Sequence, residues 1–119
     1  MTTVELRALG LTDLRAIEEI ERRSYPTPWS RSMFAGELAK PSSICLGAFD
    51  LDGESGKLVG YLIVSRYVDA WHVMNIAVDP DHRGHGIATM VLERLFELTA
   101  DDARRRATRD PRRGGGEDP

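Results

Sequence analysis

The segment from Asn75 to Thr89 constrains the fold more than any other part of the chain. An apolar run ends at Val78, and apolar residues recur at positions 87, 91, 92, 95 and 98. The run predicts a strand, and the three-to-four spacing that follows predicts a helix over 87–98. Between them lies a short loop that contains two glycines, Gly84 and Gly86.

This loop has the composition of an anion-binding site. Small residues at 84, 86 and 88 let the backbone approach a phosphate, and the following helix N-terminus adds roughly half a positive charge. Neither the G-x-x-x-x-G-K-[ST] nor the G-x-G-x-x-G nucleotide motif is present, since Thr89 stands at the last position of the latter. Two interpretations remain open from these residues alone: a pyrophosphate site, or an ordinary turn that uses glycine for its backbone angles.

The rest of the chain alternates between strand and helix patterns. Positions 14, 17, 20 and 21 follow a helical spacing, with Leu14, Ile17 and Ile20 facing the core. Two prolines in the stretch S-Y-P-T-P-W-S, 24–30, preclude a regular helix there. The predicted elements, in chain order, are a strand at 4–9, a helix capped by Thr12, a second helix capped by Ser30 and ending near Lys40, a hairpin of strands at 44–49 and 58–66, and a strand at 71–78.

Composition excludes several classes of protein. The 119 residues predict one domain, and no apolar run approaches the roughly 18 residues of a membrane helix. Residues 1–100 hold 10 Lys/Arg against 14 Asp/Glu, so a nucleic-acid-binding function is not expected. The single cysteine, Cys45, cannot form an intramolecular disulfide, which favours a cytoplasmic location.

The C-terminal residues 101–119 differ from the rest. They contain six arginines and five acidic residues but no aliphatic side chain larger than alanine. Such a segment cannot bury an apolar face, so we expect a disordered Arg/Asp/Gly-rich tail after a domain at 1–100.

The motif R-x-x-G-x-A at Arg83, Gly86 and Ala88, preceded by I-A-V-D-P and followed by an amphipathic helix, resembles the acetyl-CoA signature of the GNAT acetyltransferases. Over residues 1 to about 100, the helices, the P-W-S loop, the hairpin and the strand N-I-A-V-D-P-D resemble the bacterial ribosomal-protein-alanine N-acetyltransferases of the RimI type. The resemblance implies an α/β GNAT fold with a mixed, mostly antiparallel sheet flanked by helices. It also implies acetyl-CoA as cosubstrate, no metal, and a protein N-terminal amine, that of a ribosomal-protein alanine, as acceptor.

The resemblance also implies a set of binding residues. In the family, the matching strand pairs through its backbone with the pantetheine arm, and the matching loop wraps the pyrophosphate. Carried over to this sequence, the cofactor-binding residues are Ile76, Ala77, Val78, Arg83, Gly84, His85, Gly86, Ile87, Ala88 and Thr89. The acetyl group passes directly to the amine, so an enzyme must orient the amine, remove its proton and protonate the thiolate.

The sequence departs from the RimI type after Leu98. There the family has a strand with a glutamate base and a helix with an asparagine and a tyrosine acid, and none of these is matched. We therefore expect a C-terminally truncated domain with unknown catalytic residues. One alternative function is a catalytically impaired remnant that binds CoA or a partner, and another is a domain completed by a second chain along its sheet edge.

Two residues are candidates for catalysis. His72, at the start of the last predicted strand, is either a substitute base, since its ordinary pKa near 6.5 suits proton acceptance, or a strand-surface residue. Cys45 lies in an apolar strand without a histidine nearby in sequence, so we expect inert packing rather than a nucleophile.

Other side chains near the loops have two interpretations each. His82 and His85, close to Asp79 and Asp81, suggest a metal, but the spacing lacks a further ligand cluster and we expect solvated loop residues. Trp29 is either a hydrophobic anchor for the loop between the first two helices or part of the wall that faces the acceptor peptide.

Overall fold

A computed structural model describes residues 3–52 and 56–109, with side chains to residue 106. Within these ranges the chain forms four strands and three α-helices, joined by short loops. In chain order they are β1 Val4–Ala8, α1 Leu14–Ser24, α2 Arg31–Ala39, β2 Ser43–Asp50, β3 Lys57–Tyr67, β4 Ala70–Val78 and α3 Ile87–Arg109. Single 3-10 turns at Leu11–Asp13 and Pro80–His82 precede α1 and α3.

The described strands form one sheet in the order β1-β2-β3-β4, and every pair is antiparallel. Each strand therefore neighbours the next one in sequence, as the predicted hairpin requires. β4 lies at the edge of this four-stranded sheet. Its outer backbone groups have no strand partner among the described residues, which leaves them accessible to other groups.

Helices cover both faces of the sheet. α1 and α2 pack on one face through Ile17, Ile20 and Phe34, whereas α3 packs on the other through Val91 and Leu95. β3 lies between two strands and under both layers, so all eight residues from position 58 to 65 are buried. From Tyr61 to Val64, alternate side chains of this central strand enter the two apolar clusters, as the twofold periodicity of a strand dictates.

The N-cap residues of the first two helices can be compared with those predicted from the sequence. Ser30 is confirmed as the N-cap of α2, since its Oγ accepts a hydrogen bond from the backbone N–H of Met33 at 3.3 Å. Thr12 is not the cap of α1, because it lies inside the preceding 3-10 turn. The Asp13 carboxylate closes that turn instead, accepting from the Gly10 N–H at 2.9 Å.

α3 is longer than the sequence pattern predicts. It continues to Arg109, so the expected disorder is wrong for 101–109, while 110–119 lie outside the described residues. Charge pairs of helical spacing explain the difference: Asp102 meets Arg106 at 3.1 Å, and Asp101 meets Arg105. None of the described helices is both long and apolar enough to cross a membrane.

Candidate active site at the edge of β4

Side chains outside the sheet bind two carbonyls at the end of β4. The Tyr25 hydroxyl donates to the carbonyl of Ile76, and Arg83 Nε donates to that of Val78 at 3.2 Å. Ala77 lies between them and pairs inward, opposite Tyr61 on β3. Because backbone groups of an antiparallel strand alternate in direction, the N–H groups of Ile76 and Val78 also face the free edge.

The chain then passes through the glycine loop, residues 83–89, into α3. Gly84 and Gly86 have φ of 84° and 78°, in the left-handed region where other residues are strained. The first helical hydrogen bond of α3 runs from Met90 N to Gly86 O at 3.0 Å, so the N–H groups of the first turn have no acceptor within the helix. A Cβ at either glycine would meet nothing within 4 Å, which shows that the loop is open.

A small hollow of about 250 Å³ lies against this loop. It is lined by Val78, His82, Arg83, Gly84, Gly86, Ile87, Ala88 and Thr89. His85, which the resemblance placed at the pyrophosphate, is exposed and does not line the hollow. Ile87 is only 2% exposed because its side chain lies beneath α3 in the core, so it can serve the hollow through its backbone alone.

A buried carboxylate, that of Asp79, lies between the end of β4 and the glycine loop. Asp79 is 1% exposed and accepts from the Asp81 N–H at 2.9 Å and from Arg23 Nη1 at 3.0 Å. Arg23 also bonds Asp81 at 3.0 Å, and these contacts, with the Asp81 hydrogen bond first, raise the pKa of the guanidinium. The last turn of α1 is thereby tied to the glycine loop.

His82 does not have the solvated environment that the sequence predicts. Its Nε2 lies 3.4 Å from Asp50 Oδ2 and its Nδ1 lies 4.0 Å from Asp79 Oδ2, with the side chain 20% exposed. The 3-10 turn places the ring between β2 and the buried Asp79. Over residues 3–52 and 56–109, no three His, Cys, Asp or Glu side chains are grouped so that they could hold a metal ion.

A larger cavity of about 460 Å³ lies between the α1–α2 loop and β4, and we call it the α1–β4 cavity. The loop forms one wall and the strand forms the other. Its lining residues are Glu21, Tyr25, Pro26, Thr27, Trp29, Val73, Met74, Asn75 and Ile76. Ile76 belongs to both this cavity and the free edge of β4, so the two features are continuous.

The inner end of this cavity is a polar cluster inside the core. Glu21 is 2% exposed, and its Oε1 accepts hydrogen bonds from Asn75 Nδ2 at 2.9 Å and from the Tyr61 hydroxyl. Its Oε2 accepts from the backbone N–H of Trp29 at 2.9 Å. Burial, followed by the Glu21 hydrogen bond, raises the pKa of Tyr61 strongly, so the phenol remains a donor. The helical spacing of position 21 in α1 was the only sequence signal for this cluster.

Trp29 contacts the core and also borders a cavity, while its predicted role at the acceptor peptide stays a prediction. Its ring centroid lies 5.1 Å from that of the buried Phe34, and its side chain also lines the α1–β4 cavity. His72 is exposed near the start of β4, with its ring 6.2 Å from that of Tyr67, and it does not line this cavity. This position favours the strand-surface interpretation of His72.

Cys45 packs at the border of the core cluster under α2. Burial, with a smaller contribution from the charge of Glu37, raises the pKa of its thiol to about 11. A thiol with that pKa is almost entirely protonated at neutral pH and is a poor nucleophile. Its environment therefore agrees with inert packing.

Comparison with known proteins gives concordant matches. Residues 14–110 match the acetyltransferase (GNAT) family. The chain is 33% identical to the ribosomal protein bS18-alanine N-acetyltransferase of Escherichia coli over 92 residues, which are 77% of this chain and 59% of that protein. It is also 33% identical to an uncharacterized N-acetyltransferase of Methanocaldococcus jannaschii over 90 residues, 76% of this chain and 55% of that one.

Similarity extends to three dimensions. The crystal structure of the ribosomal-protein-S18-alanine N-acetyltransferase from Escherichia coli matches with a TM-score of 0.71 at 29% identity, covering 81% of this chain and 59% of that one. The chain thus spans 55–59% of the length of these relatives. The predicted GNAT fold is confirmed, and this chain belongs to the GNAT acetyltransferase family.

Proposed function

We propose that this chain binds acetyl-CoA along the free edge of β4 and in the glycine loop, and that it serves acetyl transfer to the α-amine of a protein N-terminus. The observation that carries the proposal is the continuity of three features. The edge at Ile76 and Val78 leads into the glycine loop at one end and borders the α1–β4 cavity at the other. One extended ligand can therefore contact all three.

The chemistry of this surface fits acetyl-CoA. Pantetheine carries amide groups, and the edge N–H groups of Ile76 and Val78 are donors for its carbonyls. The pyrophosphate is an anion, and the N–H groups at the start of α3 together with Arg83 are suited to receive it. When bound, acetyl-CoA supplies the thioester that the acceptor amine attacks.

The acceptor is proposed from the relatives and from amine chemistry. The Escherichia coli relative is named for an alanine of ribosomal protein bS18, and a ribosomal-protein alanine in the cytoplasm is the corresponding acceptor here. An α-amine has an ordinary pKa of about 7.7 to 8.0 against about 10.4 for lysine, so more of it is unprotonated at pH 7. The α1–β4 cavity, with Trp29 in its wall, is the proposed site for the acceptor's first residue.

Calorimetry with CoA tests the binding part of the proposal. Gly86→Glu places bulk and negative charge at the proposed anion site and should abolish binding. Gly86→Ala is the matched control, because it imposes the same backbone strain at φ 78° without the charge. Equal CoA affinity in the two variants and the parent chain would remove the glycine loop from the mechanism, provided that circular dichroism shows all three folded.

A transfer assay tests the catalytic part. The chain is incubated with acetyl-CoA and an alanine-started peptide, and free thiol is followed against the Gly86→Glu variant. Turnover that depends on Gly86 supports an N-acetyltransferase. CoA binding without turnover supports the alternative of a CoA-binding remnant, and the absence of His72 from the cavity lining is consistent with that alternative.

A further inference from the structure

We propose that Glu21 binds the positively charged amine of the acceptor at the inner end of the α1–β4 cavity. The inference deepens the proposed function, on which it rests for the identity of the ligand. It assigns a recognition group for a protonated α-amine, as opposed to an amide or a blocked N-terminus.

The neighbours of Glu21 use its carboxyl group as a hydrogen-bond acceptor. Both carboxylate oxygens accept hydrogen bonds: Oε1 from Asn75 and Tyr61, and Oε2 from the Trp29 N–H. A backbone N–H and an amide NH₂ can only donate, so Glu21 is the acceptor in both of these contacts. The neighbours together occupy three of the acceptor positions of the carboxyl group.

The carboxyl group of Glu21 has no cationic partner among the described side chains. No lysine, arginine or histidine lies within 4.0 Å of Glu21 in the described residues, and the neighbouring arginines of α1 are engaged elsewhere. Arg22 pairs with Glu19, and Arg23 pairs with Asp79 and Asp81. A buried charge that has only neutral donors is costly to desolvate, and a cation beside it offsets part of that cost.

The acceptor amine fits as this cation for two reasons: Glu21 has a free hydrogen-bond acceptor position, and it lies in the wall of the α1–β4 cavity. Ionised carboxylates offer about four lone-pair sites, and the three observed donors leave one free on Oε2. Glu21 lines the α1–β4 cavity together with Asn75 and Ile76. An ammonium bound there lies next to the β4 edge, on which the proposed thioester would be placed.

The test compares two peptides on the 119-residue chain. One is an alanine-started hexapeptide, and the other is its des-amino analogue, in which a propionyl group replaces the first alanine. Binding is measured by NMR titration in the presence of saturating CoA. A charge-assisted hydrogen bond predicts roughly tenfold to hundredfold tighter binding of the amine peptide. Equal affinity for the two peptides would overturn the inference, and this comparison needs no variant.

A pair of variants assigns the effect to one carboxylate. Glu21→Gln should lose most of the preference for the amine peptide, while Glu37→Gln is the matched control. Glu37 is a partly buried carboxylate on α2 that pairs with Lys40 and does not line the cavity. Retention of the preference in folded Glu21→Gln would also overturn the assignment.

CoA affinity separates this inference from the proposed function. A merely structural role for Glu21 would lower the affinity for both peptides equally and leave the ratio unchanged, which contradicts the proposal. Preference for the amine peptide in a chain that fails to bind CoA, measured then without CoA, would support the amine site and refute the proposed acetyl-CoA function. Loss of the preference with CoA binding intact would refute only the amine site.

Discussion

Removal of the Tyr61 hydroxyl is a sensitive perturbation of the polar cluster. Tyr61→Phe keeps the ring, which is fully buried and packs edge-on against Phe34 with centroids 5.9 Å apart. The hydrogen bond to Glu21 is lost. The carboxyl group then keeps Asn75 and Trp29 as its donors, and a second acceptor position is left without a donor.

The expected cost follows from the charge of the acceptor. Hydrogen bonds to charged groups contribute about 1.5–3 kcal/mol, so Tyr61→Phe should lower the free energy of unfolding by about 2 kcal/mol. For a domain of this size, that corresponds to a fall in Tm on the order of 10 °C. Tyr67→Phe is the control, because that ring is 70% exposed and a surface substitution should change stability by less than about 0.5 kcal/mol.

Urea unfolding followed by circular dichroism measures both variants. The midpoint should shift without a change in slope, since the surface exposed on unfolding is unchanged. In a double-mutant cycle, Tyr61→Phe and Glu21→Gln should show a coupling of about 1 kcal/mol or more, as expected for groups in one hydrogen-bond network. A Tyr61→Phe cost no larger than that of Tyr67→Phe, or strict additivity in the cycle, would refute a stabilising hydrogen bond between Tyr61 and Glu21.

Two further predictions concern the loop and the thiol. Asp79→Asn keeps the shape of the side chain but removes the charge that Arg23 binds, so we expect a lower Tm and weaker CoA binding, measured by thermal melts and calorimetry. Unchanged CoA affinity would show that the contact does not position the glycine loop. Cys45, with its pKa raised from 9.0 to about 11, should react with iodoacetamide about a hundredfold more slowly at pH 8 in the folded chain than in urea. Equal rates would contradict its burial.

Periodicity and capping chemistry were sufficient to predict most elements of the fold. The apolar spacing of α1, the Ser30 cap and the alternation in the hairpin are local signals, and the structure reproduces each within a few residues. The glycine loop was also visible locally, because left-handed backbone angles at positions 84 and 86 require the residue type found there.

Features that local sequence patterns did not predict depend on contacts between residues that are distant in sequence, or on opposing local preferences. His82 was expected in solvent, but its position depends on Asp50, which is remote in sequence and reaches the ring through the strand pairing. The cluster around Glu21 joins side chains 40 and 54 residues away, so no local window could reveal it. Residues 101–109 form a helix without large apolar side chains, because Asp and Arg residues at helical spacing pair along it.

The last two turns of α1 link the two halves of the proposed site. Glu21 and Arg23 are two residues apart, so they point about 200° apart around the helix. The first reaches the inner end of the α1–β4 cavity, and the second reaches Asp79 at the base of the glycine loop. A single rigid helix therefore sets the distance between the proposed amine-binding group and the proposed pyrophosphate site. Acetyl transfer requires that the amine and the thioester are held at a fixed distance and orientation. The C-terminal end of α1 therefore helps to set that geometry in the proposed site, although neither Glu21 nor Arg23 belongs to the signature motif.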